Sequence, residues 1–544
     1  MKKLILLFAI FSITFVGRSQ RTKSPKLVVG IVIDQMCYEY LYRYQQHFTE
    51  GGFNRFLLKG TNCRNTQYNY IPTFTGPGHA SIYTGTTPNN HGIVGNDWYD
   101  RKAGKTINCV NDKSFSTVGS TSTEGQTSPL NLKTYTITDQ LKMTYPSAKV
   151  ISISMKDRGA ILPGGHLSDG TYWFDGLTGT FITSTFFKNE LPAWLVNFNQ
   201  TKNAATYSKT WDLLLPKSQY QANDESPYEV VLSGKSAAVF PYDFIAMAGG
   251  KPSPNLFTIS PFANTLLTDL ALEAVNQEKL GADAQADMLC ISYSTPDIAG
   301  HSFGPYSLEM EDMYYRLDRE LKRLLDGLEL KFGKENLVVF LTADHAVVPV
   351  PQMLIDKKLP GGYLFLDKKL EELHQLCITT FKSDVIEKEE NMNIYLNHKK
   401  IDSLHLDKKE IESILRSKIM TWEGVKTVFT AEELQENTAN DNEWRDMSRK
   451  GFEWNRSGDL LIITEPGVLP KSSDTPNAHK GTSHGSAFDY DTHVPLLWYG
   501  AGIPSKDFFR PMHTIDIAPT LIHMLNLQRI GAMTGEPIIE ILPK

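Results

Sequence analysis

The chain has 544 residues, of which 41% are hydrophobic and 21% are charged, a composition typical of globular proteins. Its 55 basic and 61 acidic side chains give a formal net charge of −6, which argues against a nucleic-acid-binding module or a polybasic membrane surface. A chain of this length forms roughly two or three average domains, or one large α/β domain with insertions.

The N-terminus has the pattern of a secretory signal peptide. Two lysines precede the apolar segment Leu4–Val16, and Gly17 and Ser19 are small residues placed as signal peptidase requires. We therefore predict that residues 1–19 are removed and that residues 20–544 form an exported protein, periplasmic or secreted. The apolar segment is short for a membrane span, and no other stretch reaches about 18 uninterrupted apolar residues, so no stable membrane anchor is expected.

The cysteines do not form a recognisable metal-binding or disulfide pattern. There are five of them, at positions 37, 63, 109, 290 and 377. An odd number leaves at least one unpaired within the chain, and the pairing of the others does not follow from their spacing. Because they contain no CxxC pair and no zinc-ribbon spacing, we expect no thiolate metal site.

Short apolar runs predict the strands of a buried, largely parallel sheet. In chain order they are Lys26–Ile33, Lys149–Ser154, Asp287–Ser292, Asn336–Leu341, Asp459–Ile463 and Val494–Trp498. Helical segments are predicted for Tyr38–Leu58, with a break at Gly51-Gly52, for Leu308–Phe332 and for His513–Leu525. This alternation predicts an α/β fold, a three-layer α/β/α sandwich with a largely parallel central sheet.

Two segments depart from the alternation. Residues from about 190 to 255 are rich in Asn, Gln, Tyr and Pro, and residues from about 366 to 452 are charged and amphipathic. We interpret both as insertions into one catalytic domain rather than as separate enzymes.

The stretch Tyr70–Gly85 carries a candidate nucleophile. Proline and glycine at positions 72 and 76–78 predict a shaped turn, and Ala80–Tyr83 suits the first turns of a helix. Thr75 would then lie near a helix N-terminus, where free backbone N–H groups favour an anion. Taken alone, this stretch is better explained as an ordinary Gly/Pro-rich loop, so other parts of the chain must decide.

Polar side chains follow four of the predicted strands. They are Asp34, Lys156 with Arg158, Asp297 with His301, and Asp344 with His345. Each alone fits a helix cap or a surface residue. The carboxyl ends of parallel strands, however, meet at one edge of a sheet. Three carboxylates and two imidazoles collected there require a cation to hold them.

The mixture of carboxylate and imidazole ligands suits Zn²⁺. Asp297 and His301 are four residues apart and fit one face of a helical turn, although nearby glycines also permit a loop. Asp344 and His345 are adjacent, so both reach one site only from an irregular bend. His484, in a Gly/Ser-rich loop, could complete a site with Asp297 and His301.

Lys156 and Arg158 carry the complementary charge. Two cations that stand two residues apart just after a strand suit a tetrahedral oxyanion, because Arg offers a planar fork and Lys a point charge. An ordinary surface pair is the alternative.

Together these residues resemble the alkaline phosphatase superfamily of two-metal hydrolases. The resemblance runs from Asp34 to the segment Asp516–Thr520 and is greatest to the bacterial phosphate-irrepressible alkaline phosphatases, whose nucleophile is Thr. In motif order the chain is also similar to the nucleotide pyrophosphatase/phosphodiesterases.

The resemblance implies a role for each residue. One zinc ion would be held by Asp34, Thr75, Asp344 and His345, and the other by Asp297, His301 and His484. Asn96 matches the family asparagine that bonds a phosphoryl oxygen, and Lys156 with Arg158 matches the Lys-x-Arg pair of the phosphomonoesterase branch. Ala346 departs from the family, in which glycine commonly follows Asp-His.

The implied protein is an exported, monomeric alkaline phosphatase. With two Zn²⁺ per chain it would hydrolyse small-molecule phosphate monoesters through a phosphothreonine at Thr75. A phosphodiesterase or nucleotide pyrophosphatase is the nearest alternative, disfavoured by Lys156 and Arg158. A sulfatase is rejected because Thr75 cannot become formylglycine and His79 replaces the family Arg. A catalytically inactive metal-binding module is disfavoured because no ligand is missing.

Overall fold

The computed structural model describes residues 24–436 and 442–542. The predicted signal peptide, residues 1–19, lies outside these described residues. Within them, no helix combines the length and apolar character needed to cross a bilayer.

The strands and helices alternate along most of the chain. The strands are β1 (Leu27–Ile33), β2 (Thr61–Cys63), β3 (Thr66–Gln67), β4 (Asp97–Asp100), β5 (Lys105–Asn108), β6 (Thr117–Val118), β7 (Val150–Ser154), β8 (Gly170–Asp175), β9 (Thr180–Ser184), β10 (Thr210–Trp211), β11 (Tyr242–Asp243), β12 (Asp287–Tyr293), β13 (Leu337–Thr342), β14 (Gly362–Phe365), β15 (Ile386–Glu390), β16 (Asn393–Leu396), β17 (Val425–Thr430), β18 (Leu460–Thr464), β19 (Val468–Lys471), β20 (Leu496–Gly500), β21 (Lys506–Phe508) and β22 (Met512–His513).

The helices are α1 (Tyr40–Arg43), α2 (Phe53–Lys59), α3 (Thr75–Thr84), α4 (Pro88–His91), α5 (Ile137–Thr144), α6 (Asp157–Gly164), α7 (Ala193–Thr201), α8 (Ala204–Tyr207), α9 (Phe244–Met247), α10 (Pro254–Phe257), α11 (Phe262–Gln277), α12 (Thr295–Phe303), α13 (Leu308–Phe332), α14 (Pro351–Asp356), α15 (Asp367–Phe381), α16 (His398–Ser403), α17 (Lys408–Ile419), α18 (Ala431–Gln435), α19 (Glu443–Gly451), α20 (Asp489–Thr492) and α21 (Ile517–Leu525).

A ten-stranded sheet forms the middle layer, in the order β21-β2-β20-β13-β1-β12-β7-β8-β9-β6. Its centre, β13-β1-β12-β7-β8, is entirely parallel. β20 and β9 pair antiparallel on either side of this centre. The predicted α/β fold with a largely parallel central sheet is therefore confirmed.

Each face of the sheet has its own hydrophobic core. Alternate residues of β1, from Leu27 to Ile33, pack in one core with Leu317 and Leu321 of α13. Val28 and Val32 point the other way and pack with Leu521 of α21. Because successive side chains of a strand point to opposite faces, a strand that is apolar throughout is covered by helices on both sides.

Three local predictions differ from the structure. Tyr38–Leu58 is less helical than predicted, with only the short helices α1 and α2 and a 3₁₀ turn at Gln45–His47, although α2 begins directly after the predicted break at Gly51-Gly52. The glycines and proline after Thr75 lie inside the first turn of α3 rather than in a turn before it, because first-turn N–H groups need no helical partner. The run Asp459–Ile463 forms β18, which belongs to a separate small sheet.

That small sheet, β15-β16-β18-β17, has a separate core. Leu373 of α15 and Leu415 of α17 pack there beneath it. The segment about residues 190–255 differs in this respect, because Trp211 and Phe244 are buried in the core of the main sheet. The insertion boundaries remain predictions. All five cysteines are buried and free.

Two buried glutamates join this segment to α13. Glu229 and Glu309 are 1% and 0% exposed, and the Oε2 atom of each makes no hydrogen bond with the described residues. Tyr242 donates a hydrogen bond of 2.5 Å to Glu309 Oε1. Burial raises the pKa of both carboxyls. The charge of Glu309 raises the pKa of Glu229 further, and the charge of Asp224 raises the pKa of both glutamates. Lys480 opposes the shift at Glu229.

We expect this pair to lower the stability of the protein at alkaline pH. The unfolded chain releases these protons near pH 4.5, whereas the folded chain retains them up to a pKa of about 7 at Glu309 and about 9 at Glu229, so the free energy of unfolding falls across this range. Glu309→Gln keeps the acceptor for Tyr242 and should raise the Tm at pH 9 but not at pH 5, each unit of pKa shift being worth about 1.4 kcal/mol. Thermal unfolding across this range measures the effect, with exposed Glu410→Gln as control. An unaltered pH profile in Glu309→Gln contradicts the assignment.

Candidate active site

The predicted strand-end residues converge at the carboxyl edge of the sheet. Asp34 follows β1, Lys156 follows β7, Asp297 lies in the first turn of α12 after β12, and Asp344 follows β13. These strands are neighbours in the order β13-β1-β12-β7. The sheet order alone therefore brings the ends of four distant segments together.

One group of ligand atoms is formed by Asp34, Asp344 and His345, whose atoms lie within 4.8 Å of one another. Thr75 Oγ1 is 3.5 Å from His345 Nε2, at the side of this group. Asp344 and His345 lie in the irregular segment after β13, as their adjacency predicted.

A second group contains Asp297, His345 and His484, again within 4.8 Å. His301 Nε2 lies 3.2 Å from Asp297 Oδ1, and both residues are on α12, so the helical alternative holds for this pair. The His345 and His484 rings stack with centroids 3.5 Å apart. His345 therefore stands between the two groups.

The three carboxylates are almost fully buried, yet two of their oxygen atoms lack a hydrogen-bond partner among the described residues. Asp34, Asp344 and Asp297 are 0%, 0% and 3% exposed. Asp34 Oδ1 and Asp344 Oδ2 make no hydrogen bond with the described residues. Buried carboxylate oxygens of this kind are costly unless they are paired or bind a metal. The donor set therefore fits a pair of divalent cations.

The carboxyl pKa values show the same crowding. Burial, followed by the charges of Asp297 and Asp344, raises the pKa of Asp34 well above its ordinary value. At Asp297 burial acts in the same direction, but His301 and Lys156 outweigh it and lower the pKa well below the ordinary value. Among the three carboxyl groups, repulsion therefore raises the pKa of Asp34, which lies between the other two.

The stacked imidazoles are held neutral, the state in which histidine binds a metal. Burial lowers the pKa of His345, and it lowers the pKa of His484 well below its ordinary value. His301 differs, because Asp297 outweighs burial and raises its pKa.

Lys156 connects the two groups. Its Nζ atom lies 2.6 Å from Asp34 Oδ2 and 2.5 Å from Asp297 Oδ2. Burial opposes the charged ammonium, but Asp297 and Asp34 outweigh it and raise the pKa of Lys156. Arg158 lies on the first turn of α6, and its buried Nε makes no hydrogen bond with the described residues.

Thr75 is the first residue of α3 and is 1% exposed. The first turn of this helix lies directly against Asp344. A Cβ atom on Gly78 would come 2.2 Å from the Asp344 carbonyl oxygen, so only glycine allows this approach. Asn96 Oδ1 accepts a hydrogen bond of 2.8 Å from Gly76 N, which orients its amide NH₂ for another acceptor.

The His484 loop is fixed by backbone contacts. His484 Nδ1 lies 2.7 Å from the Thr73 carbonyl oxygen. Ser486 N donates to Asp491 Oδ2 at 2.8 Å, and Ala346 N donates to the Asp491 carbonyl oxygen at 2.8 Å. Ala346 is 1% exposed, so its methyl group is accommodated beside His345.

Gln35 is a site residue that the sequence analysis missed. Its Nε2 donates to Asp297 Oδ1 at 2.5 Å, and its backbone N donates to Asp344 Oδ1 at 3.2 Å. The backbone has φ = 66°, a conformation that costs energy for a residue other than glycine. A Cβ atom on Gly300 would meet Gln35 Oε1 at 2.0 Å. Only the position of Gln35 directly after Asp34 pointed to it.

His79 is the second missed residue. Its Nδ1 lies 2.9 Å from the Thr75 carbonyl oxygen and 3.4 Å from Asp344 Oδ2, and its Nε2 lies 2.9 Å from Ser292 Oγ. It therefore ties α3 to the sheet. The four-residue spacing from Thr75 is the signal that could have found it.

The comparisons with known proteins agree with this geometry. The sequence profile of the family described as "Type I phosphodiesterase / nucleotide pyrophosphatase" matches residues 28–487. Alkaline phosphatase PafA of Elizabethkingia meningoseptica is 38% identical over 95% of this chain and 94% of its own length. Alkaline phosphatase PhoV of Synechococcus elongatus is 38% identical over 96% and 94%. The crystal structure of wild-type PafA has a TM-score of 0.90, at 38% identity, covering 95% of this chain and 99% of that one.

Removing bound metal should destabilise the protein, because the buried carboxylates would lose the charge that balances them. At free zinc 100 times the Kd, binding stabilises the folded state by about 2.7 kcal/mol per site. We expect EDTA to lower the Tm and zinc to restore it, with about two zinc ions per chain by elemental analysis. His484→Ala should bind less zinc, whereas His398→Ala, outside the site, should not. A Tm indifferent to EDTA contradicts the assignment.

Gln35 should matter through its carboxamide. Gln35→Gly removes the bond to Asp297 while glycine adopts the positive φ without strain. We expect zinc affinity to fall about 10- to 100-fold, the usual effect of losing such a supporting bond. Competition with a zinc-binding dye measures the affinity, and an unchanged Tm of the EDTA-treated protein shows that the fold persists. Wild-type affinity in Gln35→Gly contradicts the role.

Proposed function

The chain belongs to the type I phosphodiesterase/nucleotide pyrophosphatase family, and we propose that within it the protein is an exported alkaline phosphatase that hydrolyses phosphate monoesters. The observation that carries the proposal is the position of Lys156, whose ammonium lies between Asp34 and Asp297. A monoester presents one more anionic oxygen than a diester, and a cation at this point gives that oxygen a partner. The similarity to PafA and PhoV over nearly the full chain supports the same function.

We assign two zinc ions to the residues that the family pattern names. One would be held by Asp34, Thr75, Asp344 and His345, and the other by Asp297, His301 and His484. Ions held there would neutralise the carboxylates, lower the pKa of the Thr75 hydroxyl and stabilise charge on the leaving oxygen. The zinc identity rests on the mixed Asp and His donors.

Thr75 is the proposed nucleophile. Its oxygen releases the hydroxyl proton to solvent and forms a bond to phosphorus, while the ester P–O bond on the opposite side breaks. The departing alcohol takes up a proton. Water then attacks the phosphothreonine, releasing inorganic phosphate and restoring the hydroxyl. The burial of Thr75 at the start of α3 keeps the oxygen in one position for this in-line displacement.

Asn96, Lys156 and Arg158 bind the phosphoryl oxygens. The Asn96 amide is oriented by its bond from Gly76 N. Arg158 has an Nε without a hydrogen-bond partner among the described residues and offers its planar fork to two oxygens. Lys156 supplies a point charge. Positioning and charge stabilisation of this kind account for most of phosphoryl-transfer catalysis.

Export and a monomeric state complete the proposal. Export rests on the N-terminal pattern of Leu4–Val16, Gly17 and Ser19, and small-molecule esters are the proposed substrates. The second candidate is a phosphodiesterase, because the family is described by that activity.

The experiment compares p-nitrophenyl phosphate with bis-p-nitrophenyl phosphate, using zinc-loaded protein. We expect strong preference for the monoester and no turnover by Thr75→Ala. Lys156→Ala should lower kcat/KM for the monoester by about 10²- to 10³-fold, as loss of one charge-stabilising donor does, and for the diester by less.

Lys142→Ala is the matched control, because this partly buried lysine also pairs with a carboxylate, Asp169, outside the site. It should leave both activities near wild type. Preference for the diester, or equal losses on both substrates in Lys156→Ala, contradicts the proposal.

A further inference from the structure

A cleft of about 260 Å³ opens between the small sheet and the His484 loop. Its walls include the apolar side chains of Phe74, Met392, Leu461, Val468 and Phe488, each of them partly exposed. A cavity of about 150 Å³ suffices to bind benzene, so this cleft is large enough for an aromatic ring. The role proposed above for the strand-end residues does not use it.

The cleft adjoins the nucleophile. Phe74 directly precedes Thr75, and its ring packs edge-on against the His484 ring with centroids 5.5 Å apart. A Cβ atom on Gly485 would come 2.4 Å from the Phe74 ring, so the loop lies directly on it. His484 is itself one of the residues that line the cleft, so the cleft borders this side of the site.

The charge of the walls excludes an anionic occupant. Among the described residues that line the cleft there is no lysine or arginine. Its one carboxylate, Asp491, is 1% exposed and accepts a hydrogen bond from Ser486 N. A phosphate or sugar-phosphate group would have no cationic partner in this cleft. An apolar group needs no such partner, and its removal from water is favourable.

Met392 lies in the turn between β15 and β16 and lines the cleft, although its backbone has a positive φ that methionine disfavours. Asn391 and Met392 form a two-residue hairpin turn with φ of 50° and 62°, between the paired residues Glu390 and Asn393. Glycine is the usual second residue of such a turn, and another residue there costs energy. The chain nevertheless carries a flexible apolar side chain at this point, where it borders the cleft.

The same turn is attached to the phosphate side of the site. Asn391 Nδ2 donates to the Asp97 carbonyl oxygen at 2.7 Å, next to Asn96. Ile462 N donates to the Met392 carbonyl oxygen at 2.9 Å, which fixes the turn to β18. Met392 is thus held at a defined place relative to the phosphoryl-binding residues.

We propose that this cleft binds the apolar part of the alcohol in the substrate, so that the protein favours phosphate monoesters of aromatic and other apolar alcohols. The inference rests on the phosphatase function proposed above. It assigns the small sheet to substrate selection, with Met392 and Val468 as specificity-determining residues.

The test compares ethyl phosphate with 2-phenylethyl phosphate, two primary alkyl esters that differ mainly in the size of the apolar group. We expect wild-type kcat/KM to be at least about 10-fold higher for 2-phenylethyl phosphate, since one buried methylene alone discriminates by roughly that factor. Met392→Gly should reduce this ratio several-fold, and its Tm should not fall by much because glycine suits the turn. Val468→Asp should reduce the ratio further.

Lys382→Gly is the matched control, because Lys382 also has a positive φ, of 58°, and belongs to the same small-sheet unit but does not line the cleft. Its ratio should equal that of wild type. Equal kcat/KM for the two esters in wild type, or an unaltered ratio in both cleft variants, overturns the inference while leaving the phosphatase function intact. If the protein hydrolyses neither ester, the phosphatase function itself is overturned.

Discussion

The structure of the site depends on the repulsion among three buried carboxylates. Asp34, Asp297 and Asp344 stand at the ends of neighbouring strands, almost without exposure to solvent. Two like charges about 4 Å apart repel by about 4 kcal/mol even at an effective dielectric constant near 20. No rearrangement of the parallel strands relieves this, because the core on both faces fixes their order. Cationic partners relieve this repulsion, and Lys156 already provides one positive charge between Asp34 and Asp297.

The remaining elements of the site are compatible with this charge balance. The stacked His345 and His484 rings are buried and neutral, so they add donor atoms without adding charge. α3 approaches Asp344 closely enough to bring Thr75 Oγ1 within 3.5 Å of His345 Nε2, and Gly78 permits the approach. The positive end of the α3 dipole, equivalent to about half a charge, would be a minor contribution beside the two divalent cations proposed here.

The sequence was sufficient to predict the site residues that directly follow strands, but not the residues that support them. Asp34, Asp297 and Asp344 could be placed together because parallel strands end at one edge. Gln35 and His79 were missed because no strand end marks a supporting side chain, although Gln35 directly follows Asp34 and His79 is four residues from Thr75. The contact of His79 with Ser292, 213 positions away, follows only from the fold. The start of α3 at Thr75 was missed because glycine and proline are tolerated in a first helical turn. A β-type run such as β18 does not reveal which of two sheets it joins.

A phosphatase must act on the phosphoryl group and must also accommodate the alcohol, and we assign these two tasks to different elements of the fold. Phosphoryl chemistry is the same for every ester, and it is assigned here to strand ends that the central sheet holds in place. The alcohol differs between substrates, and the cleft that receives it is lined by a hairpin turn and by edges of the small sheet. A rigid scaffold with variable connecting segments is the usual basis of altered specificity. Because Asn391 bonds to Asp97 beside Asn96, the turn cannot change position without affecting the phosphoryl side. Specificity is therefore more easily altered through the side chain at 392 than through the length of the turn.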